Sequence, residues 1–189
     1  MMNRPGEDGM IGVAEALRAI LAGATPLPAE EVPPLDALGL VLAADIVAEA
    51  DIPPFRNSAM DGYAARAADL TGASAARPVR LRVVAEGPAG YAPRGEVTPG
   101  TAIRIMTGAP LPPGADTVIR FEETDEPSRD RAAAAVGIRV AQGPWINVRE
   151  AGEDVRRGET VLRAGAPLRP AEIGVLASLG RATVAVHRR

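Results

Sequence analysis

Proline placement limits this chain more than any other feature. Pro26, Pro28, Pro33 and Pro34 fall within nine residues, and each removes an amide donor and restrains the residue before it, so no regular helix crosses that stretch. Asp51-Ile52-Pro53-Pro54 breaks the pattern again, and Leu111-Pro112-Pro113-Gly114 does so further on. The 20 glycines and 18 prolines of the 189 residues stay below the roughly 25–30% of low-complexity sequence but are many for a compact fold. Short strands joined by tight turns are expected, in one ordinary domain or two small ones with enough chain to bury a core.

Periodicity supplies the elements between those breaks. Ile11, Ala14, Leu17 and Leu21 share a helical face, with Glu15 and Arg18 on another and Gly23 placed to close the helix as a left-handed cap. Leu40–Leu42 and Ile46–Ala48 read as short strand pieces. Val79, Leu81 and Val83 alternate with Arg80 and Arg82, a half-buried strand, and Ile103 and Ile105 repeat the signal around Arg104. Asp116–Phe121 resumes extended structure after a turn. Arg131–Ala135 is too short to nucleate a helix alone and stays unassigned. Near the end, Val161-Leu162 reads as a strand, Pro170 suits the first turn of a helix with Ile173, Leu176 and Leu179 inside and Gly180 as its stop, and Thr183–Val186 is a closing strand.

Composition excludes much chemistry. There is no cysteine, which removes disulfides, thiolate nucleophiles and Cys-ligated metal sites. The one histidine, His187, stands near the end of the sequence and makes a catalytic triad or a multi-histidine centre implausible. All 21 basic residues are arginines, against 24 acids, for a net charge of −3, and the five aromatics are dispersed; no nucleic-acid footprint is expected. No apolar run is long enough for a membrane helix, and the polar, acidic start carries no secretory pattern, so a cytoplasmic protein is expected. Carboxylate, hydroxyl, guanidinium and backbone amide remain, a set suited to Mg²⁺ and oxyanions.

Three places concentrate those groups. Asp61-Gly62 is first of all a turn signal, in which glycine takes positive φ, but Asn57, Ser58, Asp61 and Tyr63 gather more polar groups beside Phe55 and Met60 than a turn requires. Thr107 ends a predicted strand before Gly108; its hydroxyl either bonds local backbone or, with the following amides, forms a concavity for an anion. Asp154 follows Gly152-Glu153, where a capped turn is the simpler reading. Arg104 could meet a phosphate, though its alternating position also explains it as solvent-facing. Arg156-Arg157 reads as a solvated pair, and Trp145 and Phe121 as core aromatics.

Three ordered segments carry a family resemblance: Asp51-Ile52-Pro53-Pro54-Phe55-Arg56-Asn57-Ser58-Ala59-Met60-Asp61-Gly62-Tyr63-Ala64, then Arg104-Ile105-Met106-Thr107-Gly108-Ala109-Pro110-Leu111-Pro112-Pro113-Gly114-Ala115-Asp116, then Asn147-Val148-Arg149 through Gly152-Glu153-Asp154-Val155 and Gly158. Together they resemble the molybdenum-insertion enzymes of molybdenum-cofactor synthesis, the bacterial MoeA proteins and the gephyrin E domain. The resemblance covers roughly residues 11–187 and implies their N-terminal region. The fold it implies is α+β and β-rich, an irregular β domain (52–146) inserted into a small mixed α/β domain in two pieces (27–51 and 147–189), preceded by a helix and connector (1–26).

It further implies a parent enzyme that inserts molybdate into adenylyl-molybdopterin with release of AMP, with Mg²⁺ at the phosphates. Asp61, Thr107 and Asp154 match catalytic positions, Asp61 and Asp154 being metal candidates. Asn57, Ser58, Arg104 and Gly108 are substrate-binding candidates. A homodimer, the C-terminal domains of the parent and a molybdopterin adenylyltransferase are the implied partners. A non-catalytic dimerisation or scaffold module, and a stand-alone anion-binding protein, are the alternatives.

Overall fold

A computed structural model describes residues 11–91, 94–126 and 134–188; residues 131–133 of the unassigned stretch lie outside them. The chain forms two compact units, Met1–Ile46 with Leu162–Arg189, and Val47–Val161. The second unit takes in Asp51 and the Gly152–Asp154 segment, which the sequence reading sets in the small mixed domain. Backbone hydrogen bonds Ala48 N–H to Glu159 (2.9 Å) and Ile52 N–H to Val155 (2.8 Å) tie those pieces together.

The first unit begins with α1 (Val13–Ala22). Gly23 ends it at φ −93, not in the left-handed conformation expected. Two carbonyls of the last turn are capped without that geometry, the Ile20 carbonyl by Gly23 N–H at 3.3 Å and the Leu21 carbonyl by Ala24 N–H at 3.1 Å. None of the α1 residues is buried. After the proline-broken connector come β1 (Glu30–Val32) and β2 (Val41–Leu42), and the chain leaves the unit through β3 (Ile46–Val47).

In the second unit, β4 (Asn57–Ser58) is followed by β5 (Gly62–Ala65), β6 (Val79–Gly87), β7 (Thr101–Ile105), β8 (Thr117–Arg120), β9 (Ala135–Ile138) and β10 (Val148–Arg149). Five of these make one sheet in the order β8-β5-β7-β6-β9, with β6 and β7 parallel and the other pairs antiparallel. A separate ladder joins β10 to β4, setting Arg149 opposite Asn57. The Val79/Leu81/Val83 alternation holds on β6, whose arginines are exposed. Strands β5 and β7 are buried on both faces. Tyr63, Ala102, Ile119 and Phe121 pack on one side, and Ala64, Ile105, Ala109 and Val118 on the other.

The chain returns through β11 (Thr160–Leu162) to α2 (Pro170–Ser178) and β12 (Val184–His187). Pro170 opens α2 as expected, the Glu172 carboxylate accepts the Arg169 N–H at 2.9 Å, and Gly180 stops it at φ 68. Strand β12 lies between β1 and β2, antiparallel to both. Leu42, Leu168, Leu176 and Val186 form the core of this unit. The molecule is mixed α/β and strand-rich.

Candidate functional site

Asp61-Gly62 is not the turn that its dipeptide suggests. Gly62 lacks a positive φ and opens β5, where a Cβ would stand 1.8 Å from the Ile119 carbonyl oxygen. Glycine is needed here so that two backbones can approach, not for its rotational freedom. Asp61 is thereby fixed at the entrance of the strand, its carbonyl accepting the Phe121 N–H at 3.2 Å.

Register decides what Asp61 meets. Gly62, the first residue of β5, lies opposite Ile105, the last of β7, so the residues just outside both strands are neighbours. Beyond β7 the chain turns over Met106–Ala109, closed by Ala109 N–H to the Met106 carbonyl at 3.0 Å, with Gly108 at φ 80 in the third position where a type II turn requires it. That turn presents Thr107. Its N–H and its hydroxyl both donate to Asp61 Oδ1, each at 2.7 Å. Two residues 46 apart in sequence form one exposed, hydrogen-bonded pair.

Asn57, Ser58 and Gly108 support this pair. Ser58 N–H donates to the Ala109 carbonyl (3.0 Å) and Gly108 N–H to the Ser58 carbonyl (2.8 Å). The Ser58 hydroxyl donates to the Met60 carbonyl at 2.5 Å and receives the Met60 N–H at 3.2 Å. Asn57 and Ser58 are buried, and the Asn57 amide donates to the Phe55 carbonyl at 3.5 Å. Their polar groups hold the loop in shape.

The remaining candidates lie in other surroundings. Asp154 belongs to a turn built on Gly152 at φ 70, and Arg149 binds it at 2.5 Å and Glu153 at 3.1 Å. Arg104 is turned into the core, with its side chain only 7% exposed, because its strand is covered on both faces. Its Nε lies 3.5 Å from Glu126 Oε1 and its guanidinium 4.9 Å from the Phe121 ring centre. Phe121 is buried as expected, but Trp145 is half exposed. It stands at φ 64, with Arg56 over its ring at 4.5 Å and bridged to Glu150 at 2.7 Å.

Sequence reasoning missed the Tyr63–Arg104–Phe121–Glu126 cluster. Glu126 lies in the acidic run Glu122-Glu123-Thr124-Asp125-Glu126, where nothing marks one carboxylate as interior. The available signal was Arg104 itself, a lone charge between two isoleucines. Burial and the nearby Glu126 carboxylate push the Tyr63 hydroxyl up from its ordinary pKa. Among the described residues no group of three or more His, Cys, Asp or Glu side chains is arranged to hold a metal.

A strand-rich molecule with its paired acid and hydroxyl at the open ends of β5 and β7 is matched by known proteins over nearly its whole length. Residues 11–180 match the family described as MoeA N-terminal region (domain I and II), and the chain belongs to that family. It is 44% identical over 177 residues to a Mycobacterium tuberculosis protein named molybdopterin molybdenumtransferase 2, covering 94% of this chain and 41% of that one. The Synechococcus elongatus molybdopterin molybdenumtransferase is 37% identical over 174 residues, covering 90% and 42%. The crystal structure of the molybdopterin biosynthesis moeA protein from Pyrococcus horikoshii superposes with a TM-score of 0.83 at 41% identity, covering 92% of this chain and 45% of that one. The chain thus spans less than half the length of these relatives.

Proposed function

We propose that this chain is the N-terminal part of a molybdopterin molybdenumtransferase, which inserts molybdate into adenylyl-molybdopterin with release of AMP. The Asp61–Thr107 pair carries the reading: two segments of the family resemblance meet there through a bidentate contact from Thr107. Preorganised by those two donors, the Asp61 carboxylate is held ready to orient a water or a charged group at the phosphoanhydride, with little reorganisation at the moment of reaction. Both donors are neutral, and together they fix the direction in which the carboxylate points.

Mg²⁺, where bound, would neutralise phosphate charge. It ordinarily takes one or two carboxylates together with waters and phosphate oxygens, so Asp61 fits that role as a single protein ligand. Asp154 does not fit, since Arg149 occupies its carboxylate and a cation brought there meets a fixed positive charge. The anion-binding alternative is disfavoured by the same bonds that build the site. Thr107 spends its amide and hydroxyl on Asp61 and Gly108 its amide on Ser58, so those donors are already committed.

Asp61→Asn in the full-length parent tests the assignment, with molybdenum-cofactor yield measured in cells lacking the insertion activity. The yield is expected to vanish while the melting temperature stays within a few degrees; a near-normal yield overturns the reading. One observation favours a second role, self-association: α1 buries none of its residues, and Val13, Leu17, Ile20 and Leu21 are all more than half exposed. Sedimentation with and without residues 1–24 checks this, an unchanged concentration dependence counting against it. No described helix is long and apolar enough to cross a membrane.

A further inference from the structure

We propose that Arg104 and Glu126 are a buried positioning pair that holds Asp61 in register with Thr107, acting through Tyr63 and Phe121. The proposal rests on the reading of Asp61–Thr107 as the functional pair. Arg104 and Glu126 lie almost wholly out of water, with side chains 7% and 2% exposed and 3.5 Å between their nearest charged atoms. Both Glu126 carboxylate oxygens lack a hydrogen-bond partner among the described residues. Burying such a pair is costly, and apolar residues of similar volume often serve stability equally well or better. Retaining it makes sense where charge specifies one arrangement over its neighbours, and here two routes lead from the pair to Asp61.

The first route is strand register. Arg104 lies directly opposite Tyr63, so the pair sits two residues inside Asp61 on one strand and three residues before Thr107 on the other. A slip of one residue between β5 and β7 would turn Arg104 to the other face of the sheet, away from Glu126, and would draw Thr107 off Asp61. The second route is Phe121. The Arg104 guanidinium covers its ring at 4.9 Å, the Tyr63 ring meets it edge-on at 5.7 Å and 78°, and its N–H holds the Asp61 carbonyl at 3.2 Å. Breaking the ion pair therefore releases the backbone of Asp61 from one side and its strand partner from the other.

The test replaces the pair by apolar residues, Arg104→Met with Glu126→Leu, and follows amide hydrogen exchange of the full chain. The Thr107 amide, bonded to Asp61 Oδ1, reports the site. The Val118 amide, bonded to the Ile146 carbonyl at 3.1 Å, reports the rest of the sheet. The melting temperature is expected to hold or rise, while Thr107 exchange accelerates about tenfold or more and Val118 exchange changes by less than about threefold. A merely structural pair would move both amides alike or neither, and either result overturns the proposal. Should the double variant fail to fold, Glu126→Gln and Tyr63→Phe keep the volume and answer the same question, unchanged Thr107 exchange in both again overturning it. Cofactor yield of the full-length parent carrying the same changes separates the two readings. A loosened Thr107 with a falling yield supports both, whereas a loosened Thr107 with normal yield leaves the positioning pair standing and removes the functional role of Asp61–Thr107.

Discussion

Asp61, next to Gly62, and Asp154, two residues after Gly152, both lie in the second compact unit and both come from segments of the family resemblance, yet the fold treats them differently. Asp61 receives two hydrogen bonds from the neutral donors of Thr107, at strand ends whose register is fixed from within. Asp154 faces Arg149 across an exposed turn. A carboxylate held by an amide and a hydroxyl is oriented by them, and those two donors are neutral. One held by a guanidinium is compensated already, and its bond weakens with salt. Environment, more than residue type or neighbouring glycine, separates a candidate reactive acid from a structural one.

The two glycines give the sharpest contrast. Gly62→Ala would put a methyl carbon 1.8 Å from the Ile119 carbonyl oxygen, which forces β5 from β8. The expected loss exceeds about 4 kcal/mol, as for other changes that disrupt a packed core, and the chain should be largely unfolded by circular dichroism. Gly152→Ala meets Asp51 Oδ1 at 3.1 Å and pays for positive φ, a cost of about 1–2 kcal/mol in chemical denaturation. If the two variants proved equally stable, the difference in rigidity between the Asp61 and Asp154 regions would be lost.

Alkaline pH probes the interior behind Asp61, for which the Asp154 turn has no counterpart. The Tyr63 hydroxyl keeps its proton in the folded state to higher pH than in the unfolded chain. Below about pH 10 both states are protonated and its stabilising share is complete. Above that, only the unfolded tyrosine ionises, so stability falls as pH rises. Denaturation curves between about pH 9 and 11 should show this decline, and Tyr63→Phe should flatten it; an identical slope in the variant contradicts the buried environment assigned to Tyr63.

Thr107→Val removes one of the two donors to Asp61 at nearly constant volume. A bond to a charged acceptor contributes about 1.5–3 kcal/mol in general, but this pair is exposed, so the expected loss is about 1 kcal/mol. Cofactor yield in the parent should fall by a larger factor than stability, because an incorrectly aimed carboxylate remains folded but unproductive. A loss of stability with full yield would make the hydroxyl a turn-stabilising group and no more.

Much of this was legible in the sequence, and the limits have physical causes. Strand β6 and helix α2 were readable because each has one wet and one dry face, so period and punctuation mark them. Strands β4 and β5 were not, since Asn57-Ser58 is a two-residue ladder and Gly62–Ala65 is buried on both faces without alternation. Arg104 was misjudged for the same reason: alternation predicts solvent on one side only if the sheet leaves that side open. Trp145 went the other way, exposed where scarcity of aromatics suggested core. The Asp61–Thr107 partnership depends on which residue of β5 faces which of β7, a long-range fact that no local pattern encodes.

Arg149→Gln is the gentlest way to erase the contrast between the two acids. The guanidinium that it removes is bound by both Glu153 and Asp154 at the surface, where solvent and ions screen most of the attraction, so the denaturation midpoint should hardly move. What should change is the turn's response to cations. With its counter-charge gone, Asp154 stands beside Glu153 as an uncompensated acidic pair, and titration with Mg²⁺ followed by amide shifts should perturb the Gly152–Asp154 signals in the variant at concentrations that leave them unmoved in the native chain. Equal shifts in both proteins would mean that Arg149 does not neutralise Asp154 and that the guanidinium does not set the two acids apart.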